Sequence, residues 1–127
     1  MSRKVLSSPQ APSAVGPYSQ GIAAAGLVFT AGQIGLDPAT GKFVPGGVVE
    51  QARRALDNAR AVVEAGGATL ADVVKVTVFL TDMGDFAAFN EVYREFFTAD
   101  YPARSAVGVA ALPVGALVEV EMIAAAR

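Results

Sequence analysis

The chain has 127 residues, a formal net charge of −2, and no Cys, His or Trp. A chain of this length forms one domain, so residues 1–127 are predicted to be a single domain. The missing residue types exclude disulfides, thiolate nucleophiles, imidazole bases and metal sites built on nitrogen or sulfur ligands. The slight negative charge gives no electrostatic signature for a nucleic acid or an anionic membrane, so we expect neither partner.

The stretch from Val5 to Leu36 is uncharged, but it is not a membrane span. Its prolines, glutamines and serines interrupt it well before the ~20 continuous apolar residues that a spanning helix needs. Arg3 and Lys4 precede a polar, proline-containing run instead of the apolar segment of a secretory signal. We therefore expect a soluble cytoplasmic protein.

Three short strands are predicted in the first third of the chain. Residues 3–7 favour an edge strand, and the Pro9–Pro17 stretch that follows is typical of an ordered loop. Residues 18–24 and 27–31 favour two strands joined around Gly26, which together predict a β-hairpin. The segment 37–41, Asp-Pro-Ala-Thr-Gly, then predicts a turn.

Apolar residues recur at helical spacing from Val48 to Ala65, and two glycines follow, so this segment predicts an amphipathic helix. Its polar face places Glu50 four residues before Arg54 and Arg60 four residues before Glu64, which predicts two weak surface ion pairs.

A second helix is predicted after Asp82 or Asp85, either of which is a suitable N-cap. Its aromatic stripe is interpreted as core packing and consists of Phe86, Phe89, Tyr93, Phe96 and Phe97. Residues 73–80 favour a buried strand, and residues 104–110 and 117–125 favour two more.

This order of elements predicts an α+β layer sandwich, in which both helices pack on one face of a mixed sheet. The chain has no further helix to cover the other face. A second copy of the chain would cover it, so we expect a homo-oligomer.

Arg104 is the first candidate for chemistry, because the residues around it carry no charge. In a strand it shares a face with Ala106 and Gly108, whose small side chains leave room for a ligand. Its guanidinium is suited to hold a small carboxylate through two parallel N–H bonds. The alternative is a structural ion pair within the protein.

Glu119 and Glu121 form the second candidate, since both point to one face of the last strand. Carboxylates two residues apart in a strand lie roughly 7 Å apart, so each raises the pKa of the other, and burial adds to the effect. One of them is a candidate general acid or base. The alternative is an ordinary half-exposed strand.

Tyr18, Ser19 and Gln20 offer a phenol, a hydroxyl and an amide beside a strand, although loops often hold such residues for turn formation alone. The sequence contains no glycine-rich phosphate loop and no EF-hand spacing, so no metal site is predicted.

Five stretches, in order along nearly the whole chain, resemble the RidA family, also called YjgF/YER057c/UK114. They are GPYSQG at 16–21, AGQIGLDPATG at 31–41, the helix with QA at 51–52 and LDN at 56–58, VFLTDMGDFAAFNEVY at 78–93, and PARSAVGVAALP at 102–113.

The resemblance implies a chorismate-mutase-like α+β fold that assembles as a barrel-like homotrimer with three ligand clefts between subunits. It also implies enamine/imine deaminase activity without a cofactor. The expected substrates are 2-aminoacrylate and 2-iminobutanoate, which PLP-dependent dehydratases release, and the products are a 2-oxo acid and ammonia.

Site residues follow from the resemblance one by one. Arg104 matches the arginine that binds the substrate carboxylate, and Glu119 matches the glutamate that positions the attacking water. Tyr18 and Asn90 match residues that line the cleft, and Gly32 matches a backbone position beside the ligand.

The chain departs from the family pattern at two positions. Ala106 replaces a frequent cysteine but keeps the backbone N–H that can bind substrate, and Ala31 replaces a serine or threonine hydroxyl. These changes bear on substrate range more than on the reaction.

Two other functions are alternatives to the deaminase. One is a non-catalytic module that binds small carboxylates or acts as a chaperone. The other is a ribonuclease, which a chain without histidine or a basic surface supports poorly.

Overall fold

The computed structural model describes residues 2–126, which form one six-stranded sheet and two α-helices. The strands are β1 Lys4–Leu6, β2 Gly21–Ala24, β3 Leu27–Thr30, β4 Val73–Leu80, β5 Ala103–Gly108 and β6 Val118–Ala125. The helices are α1 Val48–Ala65 and α2 Phe86–Phe96, and single 3₁₀ turns lie at Leu70–Asp72, Met83–Asp85 and Pro113–Gly115.

The strand order is β1-β2-β3-β6-β4-β5, so β6 lies inside the sheet and β5 at one edge. Only the β4–β5 pair is parallel, with α2 in the connection between them. The predicted mixed sheet in an α+β fold is therefore confirmed.

Both helices pack on the same face of the sheet. α1 contributes Leu56 and Val63 to the core, α2 contributes Phe89, and the sheet contributes the alternating residues of β4 and β6. These inward residues of β4 and β6 are Val76, Val78, Leu80, Val118, Val120, Met122 and Ala124. The prediction that the aromatic stripe is core is confirmed for Phe89, Tyr93 and Phe97, while Phe86 and Phe96 are half-buried.

Leu56 gives a direct test of this packing, because it is fully buried between α1 and the sheet. Leu56→Ala is expected to lower the free energy of unfolding by about 2–5 kcal/mol, since it removes buried methyl groups and leaves a cavity. Urea unfolding followed by circular dichroism measures the change. Val74→Ala, on an exposed side chain, is the control, and an equal loss in both variants would contradict the described core.

Two predicted strand boundaries are wrong. β2 begins at Gly21, not at residue 18, because the buried side chain of Gln20 binds the preceding loop. Its Nε2 donates to the carbonyls of Ser8 and Pro12, and its Oε1 accepts from the Ser8 N–H. β5 ends at Gly108, not at residue 110, because its partner strand β4 ends at Leu80. The last backbone hydrogen bond at this end runs from the Val109 N–H to the Leu80 carbonyl.

The two ion pairs predicted on α1 are replaced by other contacts. Arg54 donates to the amide oxygen of Asn58 over 2.9 Å, and Arg60 pairs with Asp57. Asn58 is fully buried and donates to the carbonyls of residues 34 and 36, so Arg54 helps to orient a structural amide.

The remaining charges at the helix ends serve local structure. Glu50 accepts the Gly47 N–H at the start of α1, and this bond lowers the pKa of its carboxyl group. Of the two predicted caps for α2, Asp82 accepts the Gly84 N–H at the 3₁₀ turn, whereas Asp85 stands at the N-cap position without a side-chain hydrogen bond.

The sheet face opposite the helices is uncovered within residues 2–126. It is apolar on the side of β1–β3, whereas Lys75, Thr77, Glu119 and Glu121 make its β4 and β6 part polar. One row across it runs from Val5 through Ile22 and Phe29 to Ile123, and Val5 and Phe29 are exposed. Exposed Val107 lies in a second row. Such a contiguous patch is typical of a surface that another protein chain covers.

Among residues 2–126, no helix has both the length and the apolar character needed to cross a membrane.

Candidate active site

Arg104 lies on the edge strand β5, opposite Val76 of β4, and points to the helix-covered face. Its guanidinium carbon lies 4.6 Å from the ring centroid of Tyr93 and 5.4 Å from that of Phe86. No carboxylate of the described chain pairs with it. Within residues 2–126 the alternative of a structural ion pair therefore has no partner, and the N–H donors are available to a ligand.

A cleft of about 380 Å³ opens beside Arg104. Its lining comprises Asn90, Tyr93, Arg94, Tyr101, Pro102 and Arg104. The structure thus brings together two predicted site residues, Asn90 and Arg104. The sequence reasoning missed Tyr93, which it assigned to the core alone, and Tyr101.

Two polar atoms in this region are buried without a hydrogen-bond partner in the described chain, the amide oxygen of Asn90 and the hydroxyl of Tyr93. Burial raises the pKa of Tyr93 to about 12, against the opposing effect of the nearby Arg104 charge. Tyr93 therefore stays protonated at neutral pH.

Tyr93→Phe is expected to stabilise the fold by about 1 kcal/mol, because it removes a buried hydroxyl that lacks a partner. The midpoint of urea unfolding measures the change, with Tyr101→Phe on an exposed tyrosine as the control. A loss of stability in Tyr93→Phe alone would mean that the hydroxyl is hydrogen-bonded in the assembled protein.

Glu119 lies on the inner strand β6, opposite Phe79 of β4, and is half-buried on the helix-free face. Burial raises the pKa of its carboxyl group, and the Glu121 carboxylate adds to the shift, as the sequence predicted. Gly32 lies directly against it, because a β-carbon at Gly32 would be 2.8 Å from the carboxyl carbon of Glu119. A side chain at position 32 would therefore displace the carboxyl group of Glu119.

The raised pKa of Glu119 predicts a pH-dependent cost in stability. A carboxyl group with a raised folded-state pKa favours the fold while protonated, and this contribution is lost as pH rises from the ordinary value of 4.5 through the folded-state pKa. Glu119→Gln is thus expected to gain stability over the wild type between pH 4 and pH 7. Thermal unfolding at several pH values measures this gain, with Glu64→Gln as the exposed control. Parallel pH profiles of the two variants would contradict it.

Arg104 and Glu119 do not meet within one chain. β4 separates their strands, and the residues opposite them are three positions apart along β4. Strand geometry puts their α-carbons roughly 14 Å apart, with the side chains on opposite faces of the sheet. We call Arg104 with Asn90 and Tyr93 the Arg104 half-site, and Glu119 with Gly32 the Glu119 half-site.

The other predicted site residues lie apart from the Arg104 cleft. Tyr18 is 53% exposed in the loop before β2, and its hydroxyl accepts the Val15 N–H over 3.4 Å. It lines a separate surface groove with residues of β1 and the loop that follows. Ala106 lies on the same strand and face as Arg104, where its methyl group packs against the core. Ala31, next to Gly32, donates its N–H to the Gln20 carbonyl.

Known proteins match this chain over nearly its full length, including the five stretches that the sequence analysis identified. The family model described as endoribonuclease L-PSP matches residues 8–126. Mouse 2-iminobutanoate/2-iminopropanoate deaminase is 50% identical over 122 residues, which cover 96% of this chain and 90% of that protein. A RutC family protein of Pyrococcus horikoshii is 50% identical over 96% of this chain and 97% of its own length.

Solved structures of similar sequence identity share this fold. The crystal structure of Escherichia coli TdcF with bound serine is 46% identical and superposes with a TM-score of 0.93, covering 98% of this chain and 99% of that one. The matches span almost the entire chain, including both half-sites. The chain therefore belongs to the endoribonuclease L-PSP family, which is the RidA (YjgF) family that its motifs resemble.

Proposed function

We propose that this protein is a deaminase that hydrolyses reactive 2-enamino and 2-imino acids, such as 2-aminoacrylate and 2-iminobutanoate, to 2-oxo acids and ammonia. Relatives that bear the deaminase name are 45–50% identical over 96% of the chain. The observation that carries the proposal to this chain is the unpaired Arg104 guanidinium at the edge of a small cleft.

The first requirement of the reaction is an anchor for the substrate carboxylate. The planar guanidinium of Arg104 binds a carboxylate through two parallel N–H bonds. The rings of Phe86 and Tyr93 hold it in place without competing for those donors. The anchored substrate then presents its C=N carbon in a fixed direction, which lowers the entropic part of the barrier.

The second requirement is a water molecule and a group to accept its proton. The carboxylate of Glu119 is suited to both tasks, because its raised pKa moves it closer to the working pH, where general bases are most effective. An enamine reacts as its imine tautomer. The water oxygen bonds to C2 while the C=N π bond breaks, and Glu119 passes the first water proton to nitrogen. The second O–H proton then moves to nitrogen, the C–N bond breaks as C2 becomes a carbonyl carbon, and ammonia leaves. Water is the only co-reactant, so the balanced reaction consumes no oxidant or reductant.

The two requirements are combined in a homotrimer with a cleft at each interface between subunits. Within one chain the half-sites face opposite sides of the sheet, so a substrate on Arg104 reaches Glu119 only if another subunit supplies it. The uncovered sheet face, which carries Glu119 beside an apolar part on β1–β3, gives a surface for that contact. Tyr18 and the backbone at Gly32 and Ala106 complete the cleft in this arrangement.

The substrates are short-lived in water, so the protein acts near their source. PLP-dependent dehydratases acting on hydroxy amino acids release 2-aminoacrylate and 2-iminobutanoate. A cytoplasmic deaminase would remove these compounds as they form.

A coupled assay tests the proposal. A PLP-dependent dehydratase generates 2-iminobutanoate from threonine, and semicarbazide traps the imine that remains. We expect wild-type protein to lower the trapped fraction in proportion to its concentration. An unchanged fraction at equimolar protein would reject deaminase activity.

The serine bound in the TdcF structure supports a second candidate, a module that binds small carboxylates without catalysis. Such a module would bind 2-oxobutanoate in calorimetry with the same affinity in wild type and Glu119→Gln, and neither protein would lower the trapped imine. The family description names an endoribonuclease, but a chain without histidine and with a net charge of −2 is poorly suited to that reaction.

A further inference from the structure

The helix-free face of the sheet carries a group of polar side chains beside Glu119. Lys75 and Thr77 lie on β4, and Glu121 lies on β6 directly opposite Thr77. Ser105 lies on the other side of Thr77, on β5. Within residues 2–126, Lys75 is the only positively charged strand residue on this face, because side chains alternate along each strand.

Lys75 has two polar neighbours, one on each adjacent strand. Ser105 and Glu121 both lie diagonal to it, since both are opposite the residue two positions further along β4. Diagonal neighbours are roughly 7–8 Å apart, a distance that a long side chain spans. The Lys75 ammonium donates to the Ser105 hydroxyl over 2.9 Å, and in the described chain it forms no ion pair with Glu121. The carboxylate of Glu121 is therefore not neutralised by the cation beside it.

The charge of Glu121 acts on Glu119, its next neighbour on the same face of β6, with the two α-carbons roughly 7 Å apart. Burial is the larger cause of the raised pKa of Glu119, and the Glu121 carboxylate adds to it. The other described neighbours of Glu119 are uncharged, with Phe79 opposite it on β4 and Gly32 against its carboxyl group. Lys75 lies four residues from Phe79 along β4, roughly 13 Å away, so it is too distant to offset Glu121.

We propose that Glu121 is a positioning residue that sets the pH range over which Glu119 acts as a base. The Ser105 hydroxyl supports this role, because it holds the Lys75 ammonium away from Glu121. The inference rests on the proposed function, and it names how that same site responds to pH. In the proposed trimer, Arg104 of the neighbouring subunit stabilises the charged form of Glu119, and Glu121 opposes this effect. Glu119 thereby keeps the proton affinity that a base needs near neutral pH.

The pH profile of kcat/KM for 2-iminobutanoate tests this role in Glu121→Gln, with a blank without protein at each pH. Wild-type activity is expected to fall toward acid pH as Glu119 takes up a proton. Glu121→Gln removes a negative charge, which lowers the pKa of Glu119 and extends activity to lower pH. On the acid limb we expect the variant to retain about threefold more of its own maximal activity than the wild type does, the effect of one charge roughly 7 Å away in water. Glu64→Gln, on an exposed side chain of α1, is the matched control and should keep the wild-type profile.

Ser105→Ala tests the same role without removing a charge. It releases the Lys75 ammonium, which can then pair with Glu121, so the acid limb should move in the same direction as in Glu121→Gln. In a Lys75→Gln background, Ser105→Ala should not move the limb further. The comparison uses the position of the limb and not the rate, because Ser105 adjoins Arg104. An acid limb at the wild-type position in both Glu121→Gln and Ser105→Ala would overturn the inference.

Carbon-13 NMR of the Glu119 carboxyl group separates this inference from the proposed function. Its resonance, assigned with Glu119→Gln, is followed between about pH 3 and pH 8 in the wild type and in Glu121→Gln. A titration that moves to lower pH in Glu121→Gln would support the role of Glu121 even if no imine is hydrolysed. Hydrolysis of 2-iminobutanoate with the same titration in both proteins would retain the deaminase and reject the role of Glu121.

Discussion

Arg104→Ala is expected to lower kcat/KM for 2-iminobutanoate by about two to three orders of magnitude. The change removes the paired N–H bonds to the substrate carboxylate, and charge-assisted bonds contribute about 1.5–3 kcal/mol each, where 1.4 kcal/mol corresponds to a factor of ten. The semicarbazide assay measures the loss, and calorimetry with 2-oxobutanoate shows whether binding falls in parallel.

Arg104→Lys is the matched control for charge. A lysine keeps the positive charge but offers a compact ammonium in place of a planar pair of donors. We expect it to recover only part of the activity, with a raised KM. Full activity in Arg104→Ala, with a circular dichroism spectrum like that of the wild type, would reject the carboxylate anchor.

Loss of folding is a smaller risk for these variants than for changes in the core. Arg104 lies on an edge strand, is half-exposed, and has no ion pair within the described chain. Its removal exposes the rings of Phe86 and Tyr93 to the cleft but leaves no buried charge without a partner. The stability of Arg104→Ala should therefore stay within about 1 kcal/mol of the wild type, as expected for surface changes.

Periodicity predicted the regular elements well where one face of the element is strongly apolar. The boundaries of α1 and β4 are those that the sequence indicated, because their apolar residues alternate at helical or strand spacing along the full length. The start of β2 was wrong because Gln20 forms side-chain bonds to a loop eight to twelve residues away, which no local pattern shows.

The candidate site was predictable only in part. The isolation of Arg104 among uncharged residues and the alternation around Glu119 identified two polar groups, and the pairing of their strands with β4 placed them on opposite faces. The sequence alone offers no means to see that Tyr93 serves both the core and the cleft, since aromatic residues at helical spacing have the same pattern in either role. Residue Arg94 was likewise indistinguishable from any other solvent-facing arginine of a helix.

Mixed trimers are expected to regain activity that each inactive parent lacks. In a trimer of one variant, all three clefts are inactive. Arg104→Ala removes the group that binds the substrate carboxylate, and Glu119→Gln removes the group that activates the water. If each cleft combines Arg104 of one subunit with Glu119 of its neighbour, every trimer that contains both variants has one intact cleft. Random mixing then restores about a quarter of the wild-type clefts.

The measurement uses the two variants with different affinity tags, unfolded together, refolded and purified through both tags so that only mixed trimers remain. We expect one third of the wild-type rate in this fraction, because one cleft in three is intact, and the unmixed parents treated in the same way give the baseline. A mixed fraction as inactive as its parents would show that both residues act from the same subunit. That result would require the two half-sites of one chain to meet around the edge of its sheet. The strand register opposes this, because Arg104 lies opposite the buried Val76 and Glu119 lies opposite Phe79, which is on the other face.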